Sequence, residues 1–546
     1  MGTSWEQAQT APQRSHKWWA LAAVCFGLFM ALLDVTIVNV ALPTIQKSLN
    51  AQFSDLQWVI DAYAIALAVV LVTSSRLGDI LGRKKIFMIG LGVFSTGSLL
   101  CALSGDVSVQ GLSHIDVLNI SRVIQGIGGS AMMPLSLSII STEFHGRERG
   151  AAFGIWGGVA GLATAIGPLV GGLLVEKVNW QSIFYINVPI GVIGIILSAW
   201  AIHESKDERA SRFIDVFGLL TFSISMFCLV LALMQANDKG WTSGYILTLF
   251  VIAAVALAVF ITGELYIKHP MIDPRLFKNP SFTGSAIAAF CLSAGLYSLF
   301  FYLTLYLQNF LGFDSLQAGL RTLPMSALVL IGAPLSGRLT DKFGPKWLLV
   351  TALGLMSIAV FLMTRISPSD KAADWVVLLP AFIIAGIANG MANPPLSSLA
   401  MGTVHPSKIG MASGVSNVSR QVGISFGIAF LGAMLSNRYN TLVHNQITAL
   451  KSGLPASAQT SMIHGVQSAG PIAGSLGLSS AAASYRSQPI FPTIQHIART
   501  SFVDATVHIL IIAGCFLTAG TILALILIRN KDLFHRQEPH GKQQRD

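Results

Sequence analysis

Charge is what this chain has least of. Only 11% of its 546 residues are Asp, Glu, Lys or Arg, against 53% apolar ones, and the mean hydropathy is +0.64. That balance lies outside the globular range and excludes a string of water-soluble domains. Cysteine is scarce as well. Cys25, Cys101, Cys228, Cys291 and Cys515 fall singly within apolar runs, which excludes a disulfide framework and a cysteine metal site, and they read as packing residues. No G-x-x-x-x-G-K-[ST] stretch occurs, which disfavours an ATP-driven pump, and no nucleophile–base constellation suggests an enzyme. No metal or cofactor is expected. A membrane sensor without transport would need a folded output domain, and none is visible.

What is present is apolar length. Fourteen runs of about 18 or more residues recur from residue 18 to residue 528, each long enough to cross roughly 30 Å of hydrocarbon as a helix. The fold class expected is therefore an all-α, multi-pass membrane protein. A net charge of +10 would suggest nucleic acid in a soluble chain, but here the cations alternate from loop to loop. Lys and Arg gather at Arg14 and Lys17, Arg83 to Lys85, Arg147 and Arg149, Lys206 to Arg212, Lys268 to Lys278, Arg338 to Lys346 and beyond Arg529. The positive-inside rule then places both termini in the cytoplasm of a cell-membrane protein that binds no nucleic acid.

Two loops look alike. Ser75 to Lys85 and Gly337 to Lys346 align Asp79 with Asp341, Arg76 with Arg338, Gly82 with Gly344 and Lys84 with Lys346. Such internal symmetry marks transporters whose halves rock about a central site. The expected organisation is a tail, 1–17; a six-helix half, 18–203; two inserted helices with their loops, 204–280; a second six-helix half, 281–528; and a tail, 529–546. Ser436 to Thr500 reads as a long outer loop. In the cytoplasmic loops, Asp79 with Arg83, and Asp341 with Lys342, are candidate gating contacts made in one arrangement of the halves and broken in the other.

These loops resemble the cytoplasmic motif of the major facilitator superfamily, with Ser75 and Ile80 departing from the first copy's pattern. Further segments agree. Leu33-Asp34-x-Thr36 through Pro43 is similar to the first-span motif of the 14-helix drug:proton antiporters of the EmrB/QacA type. Leu118-x-x-x-Arg122-x-x-Gln125-Gly126-x-Gly128 resembles the proton-transfer motif, and Gly167-Pro168-x-x-Gly171-Gly172 the antiporter motif, with Ala163 where glycine is usual. Trp180 through Gly191, with its Asn187-Val188-Pro189, also fits, Gln181 and Ser182 departing. The resemblance implies a major facilitator fold of fourteen transmembrane helices and proton-driven export of drugs without a cofactor.

The residues carry their own argument. Burying the Asp34 carboxylate in hydrocarbon costs about 2.5 to 3.5 kcal/mol even on lenient scales, so a chain that keeps it uses it. Asp61 and Arg122 come at comparable depth, and two acids with one cation could face a common cavity. A guanidinium beside a carboxylate favours its charged form, and separation reverses that, which is a mechanism for proton coupling. Desolvated Asp34 would hold either a proton or a substrate cation. Aromatic and Met side chains such as Phe29, Met30, Tyr63, Met132, Met133, Tyr297, Tyr302 and Tyr306 are expected to offer an adaptable cavity wall. Span 5, with Gly154, Gly157, Gly158, Gly161, Gly167, Gly171, Gly172 and Pro168, is expected to seal the two halves against each other. Arg420 and Asp504 are secondary candidates. The function expected is a monomeric, proton-coupled exporter of hydrophobic, cationic drugs, with an exporter of one specific solute as the alternative.

Overall fold

Helix is the only regular way for so apolar a chain to satisfy its backbone hydrogen bonds in lipid without a closed barrel, and helix is what forms. The computed structural model describes residues 16–49, 53–107, 110–144, 147–206, 215–267, 272–313, 315–405, 408–450 and 491–529, with short pieces at 270, 459–460, 462–467, 471 and 532. The helices are α1 Lys17–Leu49, α2 Phe53–Leu81, α3 Arg83–Leu103, α4 His114–Glu143, α5 Arg147–Lys177 and α6 Ser182–Ala201. They continue as α7 Val216–Lys239, α8 Gly244–Tyr266, α9 from Pro280 to Phe310, α10 Ser315–Phe343, α11 Pro345–Met363, α12 Leu379–Gly402, α13 Ile409–Thr448 and α14 Phe491–Leu527. Two π turns, Ser293–Tyr297 and Tyr306–Phe310, interrupt α9.

Among the described residues, 13 helices are long and apolar enough to cross a membrane, and α5 adds a shorter apolar stretch, Ala151–Ala163. The chain is a multi-pass, all-α membrane protein. Buried apolar side chains of α9 to α14 form one cluster, and those of α1 to α6 form two, the larger of which reaches across to Phe282 of α9, Met401 of α12 and Ala412 of α13. Between them, α7 lays Cys228, Leu231 and Ala232 among Ile65 and Ala68 of α2. The Asn237 side-chain amide at its far end donates to the Ala429 carbonyl of α13 at 3.0 Å. Only 17% of the α8 apolar window is buried, against 78% for α4, so α8 lies at the lipid-facing periphery.

The expected outer loop is shorter than its sequence suggests. Helix α13 runs on to Thr448 and α14 begins at Phe491, because Leu435, Tyr439, Val443 and Ile447 recur at helical spacing and join the apolar cluster that holds Ile494 and Ile497. Most of residues 451–490 lies outside the described residues.

The end of the bundle that carries the Arg83 and Arg338 loops, hereafter the basic end, is closed. Hydrogen bonds between the six-helix units there include Ser75 Oγ to the Gly410 carbonyl at 2.6 Å, Ser413 Oγ to the Pro134 carbonyl at 2.8 Å, and Ser141 Oγ to Met401 Sδ at 3.1 Å. Helix α5 crosses to α10 on the same side, where a Cβ on Gly154 would stand 2.6 Å from the Ala333 carbonyl.

Candidate functional site

Small residues decide which polar groups meet. A Cβ on Gly126 would come within 2.5 Å of the Tyr63 carbonyl, and one on Gly97 within 2.6 Å of the Gln125 nitrogen. Helix α4 thereby nests between α2 and α3 and delivers Arg122 to α1. Asp34, at the middle of α1, and Arg122 are 0% and 1% exposed, and Arg122 Nη1 donates to Asp34 Oδ2 at 2.5 Å.

A buried pair survives only if its remaining hydrogen-bonding capacity is met. Arg122 Nη1 also reaches Gln125 Oε1 at 2.6 Å, and Nε reaches the Val59 carbonyl at 2.9 Å. The guanidinium lies 4.4 Å from the Tyr63 ring centre and 5.9 Å from that of Phe184. Asp34 Oδ1 accepts from Gln125 Nε2 at 2.8 Å and from Asn187 Nδ2 at 3.4 Å. Both amides also donate to Ser98 Oγ, at 3.2 and 3.0 Å, and Ser98 donates onward to the Phe184 carbonyl at 2.9 Å. The network ties α1, α2, α3, α4 and α6 into one unit.

This geometry changes two expectations. Asp34 and Arg122 do not face a common cavity with Asp61; they are enclosed, because Gln125, Asn187 and Ser98 supply inside the bundle the donors that water would otherwise provide. Asp61 lies half-buried on α2, two residues beyond Val59. The expected cavity wall is also largely core: Met30, Met132, Tyr63, Tyr302 and Tyr306 are all buried. The Tyr302 hydroxyl donates to the Ile428 carbonyl and that of Tyr306 to Asp370. The side chain of Tyr297 lies outside the described residues.

At the basic end, Arg83 donates to Asp79 Oδ1 from Nε at 3.0 Å and from Nη2 at 2.7 Å, and both are buried. The other Asp79 oxygen rests on the first turn of α13, where a Cβ on Gly410 would meet it, a position that favours negative charge. Ser75, the departure from the loop pattern, supplies the bond to Gly410. In the second copy Lys342 is exposed beside the Phe343 ring, and the Asp341 side chain lies outside the described residues.

The glycines of α5 divide their work. Gly154, Gly157 and Gly161 face Ala333, Asn393 and Val329 across the halves, whereas Gly167 and Gly171 pack on Thr36 and Ile37 of α1, within one half. Gly172 opens onto space, and the Pro168 side chain lies outside the described residues. Arg420 is half-buried, 5.9 Å from the ring centre of Trp156 on α5. Asp504 is exposed, as is His508 one turn on.

Sequence reasoning quoted Gln125 and Asn187 within motifs without giving them roles, and missed Ser98 and Glu204. The signal for Gln125 was its three-residue spacing from Arg122, which puts both on one helix face. The Glu204 carboxylate accepts from the backbone nitrogens of Lys84 and Lys85 at 3.1 and 3.2 Å, capping α3 behind the Arg83 loop. Nothing local marks it.

Residues 24–428 match the family model described as Major Facilitator Superfamily. The chain belongs to the Major Facilitator Superfamily. It is a transporter, not an enzyme. It is 35% identical over 418 residues to "Multidrug resistance protein Stp" of Mycobacterium tuberculosis (strain CDC 1551 / Oshkosh), over 76% of this chain and 75% of that one. It is 32% identical over 431 residues to the "Tetracenomycin C resistance and export protein" of Streptomyces glaucescens, over 78% and 77%. The solved structure of the human organic anion transporter MFSD10 (TETRAN) shares the fold, with a TM-score of 0.57 at 14% identity, over 93% of this chain and 100% of that one.

Proposed function

We propose that this transporter exports hydrophobic, cationic drugs or toxic compounds across the cytoplasmic membrane in exchange for protons, as a monomer of fourteen spans with both termini cytoplasmic and no cofactor. The observation that carries the reading is the Asp34–Arg122 pair, enclosed at mid-depth in a conformation whose basic end is closed. In that conformation Arg122 neutralises the carboxylate. A shift of α1 against α4 within the first half, coupled to the rocking of the halves, breaks the pair and leaves a desolvated carboxylate, which takes up a proton. The Asp79 and Ser75 contacts on α13 hold the basic end shut and release it in the alternate state. Substrate and proton then compete through the state of the pair rather than by touching one atom, since Asp34 is enclosed.

The relatives' names support export of toxic compounds. One of them is named for a single antibiotic, which favours a second reading, export of one specific compound on the same scaffold. Dye efflux from cells, with and without an uncoupler, tests the proposal: expression should speed efflux of several unrelated lipophilic cations, and the uncoupler should abolish the gain. Efflux of none of them, or efflux indifferent to the uncoupler, would contradict it. Resistance to one compound alone would select the second reading.

A further inference from the structure

One polar atom in the enclosed network has no partner. Asn187 Oδ1 is buried and accepts no hydrogen bond, although the nitrogen of the same amide serves both Asp34 and Ser98. The orientation of the amide is not arbitrary. The Ser98 hydroxyl hydrogen is committed to the Phe184 carbonyl, so Ser98 Oγ can only accept, and an ionised Asp34 can only accept. Both force the Asn187 NH₂ toward them and leave Oδ1 stranded, at the full desolvation cost of an unpaired acceptor.

Protonation of Asp34 inverts that demand. A neutral carboxyl carries one O–H that needs an acceptor. Gln125 Oε1 already accepts from Arg122 Nη1 at 2.6 Å and from Cys101 Sγ at 3.7 Å. Asn187 Oδ1 is the acceptor with capacity to spare. A half-turn of its amide brings Oδ1 to the Asp34 O–H and to Ser98 Oγ, whose hydroxyl hydrogen swings from the Phe184 carbonyl to meet it, while Gln125 Nε2 keeps its bond to Ser98.

We propose that Asn187 is a positioning residue for proton binding: its amide donates to Asp34 when the carboxylate is ionised and turns over to accept from it when it is protonated. This rests on the proton-coupling role proposed for Asp34. The ionisable groups around Asp34 are Arg122 on α4, Tyr63 on α2 and Cys101 on α3. Of these, Arg122 bonds the carboxylate directly; of the two amides that also bond it, Gln125 has its oxygen engaged by Arg122 and Asn187 has its oxygen unused. It sits at a break in α6, where one helical piece ends at Tyr185 and the next begins with Asn187.

The test needs no transported compound. Infrared difference spectra of the full-length protein in detergent, recorded across a pH series, report protonated carboxyl bands and, with labelled asparagine, the side-chain amide carbonyl. The band missing in Asp34→Asn belongs to Asp34. In Asn187→Leu the protonated acid loses its acceptor, whereas the ionised acid loses only the long 3.4 Å bond and keeps Arg122 and Gln125, so the midpoint of that band falls by about one pH unit, a tenfold loss of proton affinity. Asn187→Ser, whose hydroxyl both donates and accepts, restores part of it. A purely static donor would behave oppositely, its loss raising the midpoint. A raised or unchanged midpoint overturns the proposal. If Asn187→Leu does not fold, the wild-type spectrum decides: the asparagine carbonyl should shift together with the Asp34 band, and its constancy would overturn the proposal. Absence of any band that Asp34→Asn removes would instead count against the proton-coupling role itself.

Discussion

Gly82 and Gly344 stand at equivalent places in the two six-helix units, each with positive φ, 117° and 84°, and each leading straight into a helix. The turn at the basic end is thus one device used twice. At mid-depth the units part company. The first encloses Asp34 and Arg122 in a net of amides, whereas the second buries Asn389 and Asn393, the latter donating to the Asn389 carbonyl at 3.1 Å, and stacks two half-buried rings, Phe426 and Phe430, 5.4 Å apart. The difference teaches that the repeat preserves the hinge and lets the charge chemistry diverge. On this account the first unit senses protons.

Removing one partner of the buried pair should do the most damage. Arg122→Ala leaves a buried carboxylate uncompensated and should cost about 3 to 5 kcal/mol, while Asn393→Ala in the second unit should cost about 1 kcal/mol; thermal unfolding in detergent compares them. Next comes the seam between the units. Gly154→Val presses on backbone of α10 and should lower transport at least about tenfold by preventing closure of the basic end, whereas Gly172→Ala, facing open space, should stay within about 0.5 kcal/mol of wild type. Equal effects would erase the division found along α5.

The two hinge glycines sharpen the comparison further. Either one changed to Ala should cost about 1 to 2 kcal/mol for its backbone conformation. Gly82→Ala should be worse, since its Cβ would also press on the Glu204 carboxylate. The smallest effect concerns Asp273, in the linker after the inserted helices. Burial pushes its carboxyl up, but the Lys408 ammonium 2.7 Å away and the Arg275 backbone nitrogen outweigh burial and hold it below the ordinary 3.8. A depressed carboxyl stabilises the fold above the unfolded value and loses that contribution as pH falls below about 3.8 through the folded value. Lys408→Met should therefore cost under about 1 kcal/mol near neutral pH and nothing at acid pH, by thermal unfolding in both conditions.

Much of this was legible from residues alone. Apolar length gave the spans, and the paired loops pointed to two related units, because both signals are local. Asp34 and Arg122 stood out because charge in hydrocarbon is costly wherever it sits. Their enclosure was not legible, since it depends on Gln125, Asn187 and Ser98 arriving from three helices, and an uncharged amide in a span looks like packing. The continuation of α13 to Thr448 was hidden by the polar residues that alternate with Tyr439, Val443 and Ile447 on its other face.

The central claim is that proton coupling resides in the first unit's charge pair and not in Arg420 of the second unit. Liposomes holding the purified protein, given an imposed pH gradient and a dye that the cell screen shows to be exported, test it most directly. Asp34→Asn should insert and still exchange dye across the membrane without a gradient, yet lose gradient-driven accumulation, whereas Arg420→Gln should accumulate dye in response to the gradient with altered affinity. Accumulation by Asp34→Asn equal to that of the wild type, or its loss in Arg420→Gln alone, would contradict the account.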